Sequence, residues 1–595
     1  MEAILFHQPF KMIVVSMTAV IILLLGLLIY RYIYPKKNIN LFLLLILISI
    51  LPTISIFRVG SYQSGDLSLH TKFAMQFFDN LREGVLIPEW IKNHCSGYGC
   101  PAYLFLFMLP YYLISLLHFT GIPFLMSTKI VLALSFIISG IGMYVWIKDE
   151  LGKVPGFVAS LFFLFSPYHL IDLSFRVSIG ETVSMAIFPF LFYSSKRYIE
   201  TKKPIYFVLN GILFPLLILS HQVTSFVILP LVIIYSVYVW FRISKKSFSI
   251  LLKEFLSLFI GILLAAFYWL PILTEAKYTK YGTGIDISFS PFSDFFYSPN
   301  RFGLLFQGHM GELYFNIGYV QWIIIAVSIY LFFFNKVHGK DKKLLGGVLI
   351  LFAIFFFMML SISKPIWEIT PIIKDFEFAW RLMIETMIFP SIMAAIIVKT
   401  YPNKKFIVLL CFVTVMYTIL NWGNRQTEPQ INDAVLRNQQ VFTEKRGKWG
   451  IDFTSPVWVN EYMPWIGIVP KSHIVVLSGK AQIVQLKRVT VKHEYIINAE
   501  TNVRIKENTY YYPGWEILAN NQIIPINYKD KTYPGIMIFN LKKGLYKIDV
   551  IFTNTWDRLL GKWVSGITAI ILLFYVIYSI ISVKLLKRIS SSPKR

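Results

Sequence analysis

Four groups of ionisable residues lie where apolar runs end, and they are where this chain can do chemistry. The first is in Gly65-Asp66-Leu67-Ser68-Leu69-His70, where Asp66 and His70 are four residues apart. If the stretch is helical, both side chains project from one face close to a membrane surface. A carboxylate beside an imidazole there has the make-up of a general base; the plainer reading is a solvated helix cap. The second group is Arg176 and Glu181, within Phe175-Arg176-Val177-Ser178-Ile179-Gly180-Glu181, and the third is Trp380-Arg381 with Glu385. Charges at the rims of apolar helices are costly to desolvate, which makes them functional candidates by default. Arginine suits a phosphate oxygen because its planar fork can donate two parallel hydrogen bonds. Glu–Arg pairing that only fixes helix ends is the alternative for each. The fourth group, Cys95 and Cys100, flanks Gly97-Tyr98-Gly99, close enough for a disulfide if the loop faces an oxidising compartment.

Other chemistries find no support. There is no Walker A string, and the one GxGxxA-like segment, Gly97 to Ala102, contains Pro101 and follows no strand, so it reads as a turn. The 10 histidines form no HExxH pair, and 3 cysteines exclude a cysteine-based zinc framework. No motif names a cofactor; a divalent metal is left open, with no clear motif for one.

The elements that must position these residues follow from composition. Of 595 residues, 56% are hydrophobic and only 15% charged, against the roughly 25% charged typical of soluble domains. Apolar runs of about 18 residues or more, enough to cross a hydrocarbon core of roughly 30 Å, recur at Met12–Tyr30, Leu41–Phe57, Ile130–Ile147, Ile250–Leu270 and Val564–Val583. Arg31, Tyr32 and Tyr34 follow the first run in place of a small-residue cleavage site, so it reads as a retained anchor. The formal net charge of +25 would suggest nucleic acid on a soluble surface. Here the cations sit in short loops between apolar runs, at Lys36/Lys37, Lys196/Arg197, Arg242/Lys245/Lys246, Lys336–Lys343, Lys399–Lys405 and Lys584–Arg588, which assigns those loops to the cytoplasm and excludes nucleic acid as a partner.

The expected architecture is mainly α: a polytopic transmembrane bundle of roughly 13 spans over residues 1–423, with a first large outer loop at 58–100. Pro101–Phe119 is left out of the count because Pro101 and Pro110 interrupt it and Tyr103, Tyr111, Tyr112 and His118 suit an interfacial segment. Residues 424–558 alternate with period 2 in runs such as His473–Leu477, Val489–Ile497 and Tyr546–Phe552, which predicts an extracytoplasmic β-sandwich-like domain. Residues 559–595 form a last helix and a basic tail, giving a multi-pass protein of the cell membrane.

The order of several short motifs carries a resemblance. The Asp66/His70 loop, Pro88–Trp90, Gly97–Pro101, Ser166-Pro167-Tyr168 with Arg176 and Gly180-Glu181, Ala379-Trp380-Arg381 and Glu461-Tyr462-Met463-Pro464 resemble the bacterial and archaeal membrane proteins described as 6-pyruvoyl-tetrahydropterin synthase-related. Tyr511-Tyr512-Pro513-Gly514-Trp515 followed by Gly544 also resembles the carboxyl-terminal part of YfhO-like proteins. Both groups resemble GT-C integral membrane glycosyltransferases. That resemblance implies a polyprenyl-phosphate-linked sugar as donor, a cell-envelope glycan, lipid or protein as acceptor, and an acidic residue of the first outer loop, here Asp66, as base. Gly65 precedes Asp66, and His70 stands where a second acid would be expected.

On this reading Asp66, His70 and Glu181 are the catalytic candidates, and Arg176, Arg381, Trp90, Tyr98 and His221 the substrate-binding ones. Trp449, Trp458, Trp465 and Trp515 are either a glycan surface or the core of the β-rich domain. A transporter, flippase or assembly factor for envelope polysaccharide is the alternative, and it would more often carry broken helices with polar residues at mid-membrane. The topology has a direct check: a cysteine placed at Ser244 should escape an impermeant thiol reagent added outside, and labelling there would overturn the assignment.

Overall fold

The computed structural model describes residues 9–243, 247–280, 287–308, 311–369, 376–423, 425–439, 441–443, 445–447 and 452–590; Trp449, Lys245 and Lys246 lie outside them. Among the described residues, seven helices are long and apolar enough to span a bilayer, including Phe124–Leu151, Gln222–Arg242, Gly339–Met359 and the last, beginning at Trp556. The number rises to nine if two bent pairs each count once: Lys153–Leu164 with Pro167–Arg176, bent by 54°, and Phe248–Leu264 with Ala266–Tyr278, bent by 67°. This is fewer than the roughly 13 expected from apolar runs. Leu41–Phe57, Pro204–Ser220 and Tyr319–Phe333 are apolar but shorter, and Ile179–Thr201 is long enough but carries Glu181, Lys196, Arg197 and Glu200. Leu109–Phe119 has 11 residues, about 16 Å of helix, too short to cross.

The bundle has two chemically distinct ends, read most directly from Phe124–Leu151, whose 28 residues extend about 42 Å. At its start, the backbone N–H groups of Phe124 and Leu125 donate to the Asp433 carboxylate at 2.6 and 2.9 Å. That carboxylate satisfies two of the orphan donors at a helix N-terminus. At its other end, Asp149 accepts from Lys196 at 2.5 Å and Glu150 pairs with Arg242. Lys399 and Asp341 pair at 2.7 Å between helices Ile388–Thr400 and Gly339–Met359. The basic loops therefore gather at one end, and the loop after Phe57 and the carboxyl-terminal block at the other. There, strand β1 (Ser61–Tyr62) pairs antiparallel with β2 (Thr427–Glu428).

Eight more strands follow: β3 (Ile474–Ser478), β4 (Ala481–Val489), β5 (Lys492–Ala499), β6 (Val503–Tyr510), β7 (Trp515–Ala519), β8 (Gln522–Ile524), β9 (Ile536–Leu541) and β10 (Gly544–Phe552). They make a five-stranded sheet in the order β4-β5-β10-β7-β8 and a three-stranded sheet β3-β6-β9, with every pairing antiparallel. The alternation seen in sequence is the alternation of burial: Tyr495, Ile497, Ile505, Ile517, Ile548 and Val550 are buried, as inner positions of period-2 strands must be. Gly514, at φ +110°, turns the chain into β7 where an added Cβ would lie 2.6 Å from the Thr553 carbonyl.

One buried cation locks this region to the bundle. Arg558, in the first turn of the last helix, is fully buried. Its Nη2 and Nε donate to Glu275 at 2.7 and 3.1 Å, and its Nη1 lies 3.4 Å from Glu89. Lys562 pairs with Glu89 at 2.7 Å, and the Tyr512 hydroxyl donates to the Glu275 carbonyl at 3.1 Å. Helix Ala266–Glu275, the first outer loop and the final helix thus meet at one guanidinium. Removing one member of such a pair strands the other charge, so Arg558→Ala should cost about 3–5 kcal/mol. The readout is the thermal midpoint in detergent; the double variant Arg558→Ala/Glu275→Ala should recover much of the loss, and a midpoint unmoved by Arg558→Ala would contradict the lock.

Candidate functional site

Asp66 immediately precedes the amphipathic helix Leu67–Arg82, whose Leu67, His70, Phe73, Ala74 and Phe77 are buried. Asp66 does not cap that helix: its side chain makes no cap bond, and the Leu67 N–H is met by the Ser64 hydroxyl at 3.3 Å. Its backbone is instead clamped to a distant turn. The Gly65 N–H donates to the Phe175 carbonyl and the Asp66 N–H to the Arg176 carbonyl, both at 2.8 Å. A Cβ on residue 65 would lie 2.9 Å from the Arg176 carbonyl oxygen. That close approach accounts for glycine at this position. The Asp66 carboxylate is half-buried and has no hydrogen bond or ion pair among the described residues. Burial raises its pKa, Arg176 opposes the rise and Glu181 adds to it.

His70 is engaged elsewhere. Its Nδ1 is 3.0 Å from the Tyr111 hydroxyl, and its ring packs on Phe107 and Tyr111. Burial, with Arg176 adding to the effect, lowers its pKa to about 3, so the ring is neutral near pH 7. The expected Asp66–His70 side-chain couple is therefore replaced by a His70–Tyr111 couple beside Asp66.

Arg176 ends a short π-helical turn, Ile171–Arg176, after which Val177 adopts φ +59°. A β-branched residue in that region is a genuine outlier, held here by what surrounds it. Arg176 Nη1 and Nη2 pair with both oxygens of Glu181 at 3.0 Å, and Nη1 also meets Asp172 at 2.8 Å. The Tyr168 hydroxyl donates to Glu181 at 2.7 Å. The guanidinium lies 4.8 Å from the Trp380 ring, and His221 Nε2 is 3.8 Å from Glu181. Two buried carboxylates thus pair with Arg176, the residue expected to hold a phosphate. Glu181, with both oxygens engaged, is its counter-ion. His221 faces the same pair, while its Nδ1 accepts the Thr224 N–H at 3.2 Å.

Arg381 pairs with Glu377 at 2.8 Å and donates to the Phe376 carbonyl at 2.9 Å, while its Nε has no partner among the described residues. Glu385, one turn on, is buried. Trp90 and Tyr98, expected as substrate-binding residues, are packed inside. Trp90 is 1% exposed, wedged against Trp515 and Phe552, and Tyr98 is 3% exposed, stacked on Tyr510; neither ring has a free face. Trp515 is likewise core, whereas Trp458 and Trp465 are half-buried. The sequence reading missed Asp172 and Tyr168, and Asp172 had a signal: it stands four residues before Arg176 on one helical face.

Cys95 and Cys100 form the expected disulfide. With His94 and Asp452 they make a group of metal-type donors lying within 4.8 Å of one another. The disulfide leaves no thiolate to coordinate, and His94 Nε2 bonds Asp452 at 2.8 Å. Burial opposes ionisation of Asp452, but His94 and the Thr454 bonds outweigh it and hold the carboxyl below the usual range. The arrangement is a structural clasp between the outer loop and the carboxyl-terminal block.

Residues 105–425, more than half the chain, match the family described as 6-pyruvoyl-tetrahydropterin synthase related domain, a membrane protein. The chain belongs to that family. This 6-pyruvoyl-tetrahydropterin synthase-related protein is also 25% identical over 345 residues to an uncharacterized protein of Lactococcus lactis subsp. cremoris, covering 56% of this chain and 55% of the relative. It therefore spans about half the length of that curated relative. Among solved structures it is similar to arabinofuranosyltransferase AftD from Mycobacteria, with TM-score 0.40 and 13% identity over 66% of this chain and 27% of AftD. It is also similar to the Archaeoglobus fulgidus oligosaccharyltransferase in its apo form, with TM-score 0.38 and 12% identity over 64% of this chain and 55% of that one. Likenesses of this size carry no argument about the site. The family match takes in Arg176, Glu181, His221 and Arg381 and stops short of Asp66, His70, Trp90 and Tyr98.

The neutral, buried His70 ring sets an acid limit. Its folded pKa lies below the unfolded value near 6.5, so between about 6.5 and about 3 only the unfolded chain takes up the proton. Its share of stability is complete above that window and is lost as pH falls through it, at up to about 1.4 kcal/mol per pH unit. Thermal midpoints of His70→Asn should fall less steeply with acid than those of wild type, and parallel profiles would show that the ring is solvated.

Proposed function

We propose that this protein is a membrane glycosyltransferase that moves a sugar from a polyprenyl-phosphate donor to a cell-envelope glycan, lipid or protein acceptor on the outer face. The observation that carries the reading is the Asp66 carboxylate: fixed through its backbone to the Arg176 turn, half-buried, and with no partner among the described residues. A group held so firmly yet left with open acceptor atoms suits a base that meets its proton only when substrate arrives.

In the proposed reaction the acceptor hydroxyl attacks the anomeric carbon in line, forming the new glycosidic bond as the bond to the polyprenyl-phosphate oxygen breaks. Asp66 takes the hydroxyl proton, and the phosphate leaves with its charge spread over its oxygens. His70 and the Arg176–Glu181 pair act by position, fixing the wall beside Asp66 and the turn beneath it. The donor phosphate falls to Arg381, whose partly exposed guanidinium is held beside Glu377. The half-buried Trp458 and Trp465 are the aromatic faces left for an acceptor glycan. In this reading the large β-rich block lies with Asp66 on the extracytoplasmic side.

The transport or assembly reading has its own support in the two bent helix pairs and in a buried pair inside the bundle, where the Asn210 amide donates to both Glu254 oxygens at 3.0 and 2.9 Å. Mutants separate the readings. Asp66→Asn should lower turnover about 100-fold or more with donor binding nearly intact, whereas Arg381→Ala should weaken donor binding. Wild-type turnover in Asp66→Asn would show that Asp66 is not the base, and unchanged glycan phenotypes in both variants would favour transport.

A further inference from the structure

An apolar cavity lies at the basic end of the bundle, remote from Asp66. It has a volume of about 170 Å³ and is walled by Trp146, Phe192, Leu231, Val348 and Phe389, drawn from five helices. Its polar floor is satisfied from within. Trp146 Nε1 donates to the Tyr235 hydroxyl at 3.0 Å, that hydroxyl donates to Glu150 at 3.2 Å, and Glu150 holds Arg242. A chamber whose few polar groups are already paired offers nothing to a water cluster or a polar ligand.

The mouth is different in character. Lys343 and Gly347 lie on the rim, both exposed and one helical turn apart, so they share a face. The Lys343 ammonium has no hydrogen bond or ion pair among the described residues. Ile234, also on the rim, is 49% exposed, and Ile350 and Ile354 beyond it are 62% and 50% exposed, the surface of helices that face hydrocarbon. A cation above an apolar opening, among loops whose lysines mark one membrane surface, matches a molecule with an anionic head and an apolar tail.

We propose that this cavity is a binding site for one acyl chain of an anionic phospholipid, with the phosphate over Lys343 and the chain entering past Gly347. Gly347 provides the test, because a Cβ there meets nothing within 4 Å and a larger side chain can enter the cavity without moving backbone.

Full-length protein stripped of lipid in detergent is offered phosphatidylglycerol, phosphatidylcholine or a polyprenyl phosphate, and bound lipid is counted by native mass spectrometry. Wild type should retain one phosphatidylglycerol in preference to phosphatidylcholine. Gly347→Trp should lower that occupancy about tenfold or more. Lys343→Glu, an exposed change that leaves the packing alone, should abolish the preference between the two headgroups. Equal retention of both phospholipids by wild type, wild-type occupancy in a folded Gly347→Trp, or displacement of phosphatidylglycerol by polyprenyl phosphate would each overturn the assignment. None of these readouts depends on transferase activity.

Discussion

The pairing of Arg176 with Glu181 is the interaction on which the outer end of this bundle depends. A guanidinium and a carboxylate buried at a helix rim are costly unless each meets the other with good geometry, and here the fork is matched by both Glu181 oxygens, with Asp172 and Tyr168 completing the set. The pair fixes the left-handed turn at Val177, and that turn presents the Phe175 and Arg176 carbonyls to the N–H groups of Gly65 and Asp66. The position of the candidate base is therefore inherited from an ion pair more than a hundred residues away along the chain. A residue that holds the site in shape in this way is poorly placed to serve as a mobile ligand for substrate as well.

Around this turn the outer elements are joined by different chemistry at each contact. The β1–β2 pairing brings the first outer loop to the chain that follows the bundle. The disulfide and the His94–Asp452 bond close the end of that loop. Arg558 ties the last helix to Glu275 and Glu89. Trp90 and Tyr98 fill the space between loop and strands. The carboxyl-terminal block is thus one wall of the region that contains Asp66, and its loss would expose surfaces built to be covered.

How much of this could be read from residues alone follows the range of the interactions. Helical spans and period-2 strands are local patterns, so the bundle, the β-rich block and the Cys95–Cys100 bond were legible. The number of spans was less so, because apolar length does not reveal that Leu164 and Pro167 flank a bend or that Leu41–Phe57 changes helix type at Leu51. At the site, residue types pointed to Asp66, Arg176 and Glu181, and the structure does bring those three to one place. Their partners were hidden. His70 meets Tyr111, 41 residues on, a contact set by how two helices pack, and Trp90 reads as a ligand platform until the strands that cover it are in view. Arg176 and Asp172 formed a visible four-residue pair, but nothing local tells whether a guanidinium answers its own helix or a substrate.

The proposed sugar transfer takes place at the end of the bundle that carries Asp66. The most direct measurement supplies purified protein in proteoliposomes with a panel of polyprenyl-phosphate sugars, placed in one leaflet at a time, and follows free polyprenyl phosphate. Release from one donor, and only when that donor's headgroup lies on the Asp66 side, is the predicted result. No release from any donor, together with movement of an intact labelled lipid from one leaflet to the other, would contradict it.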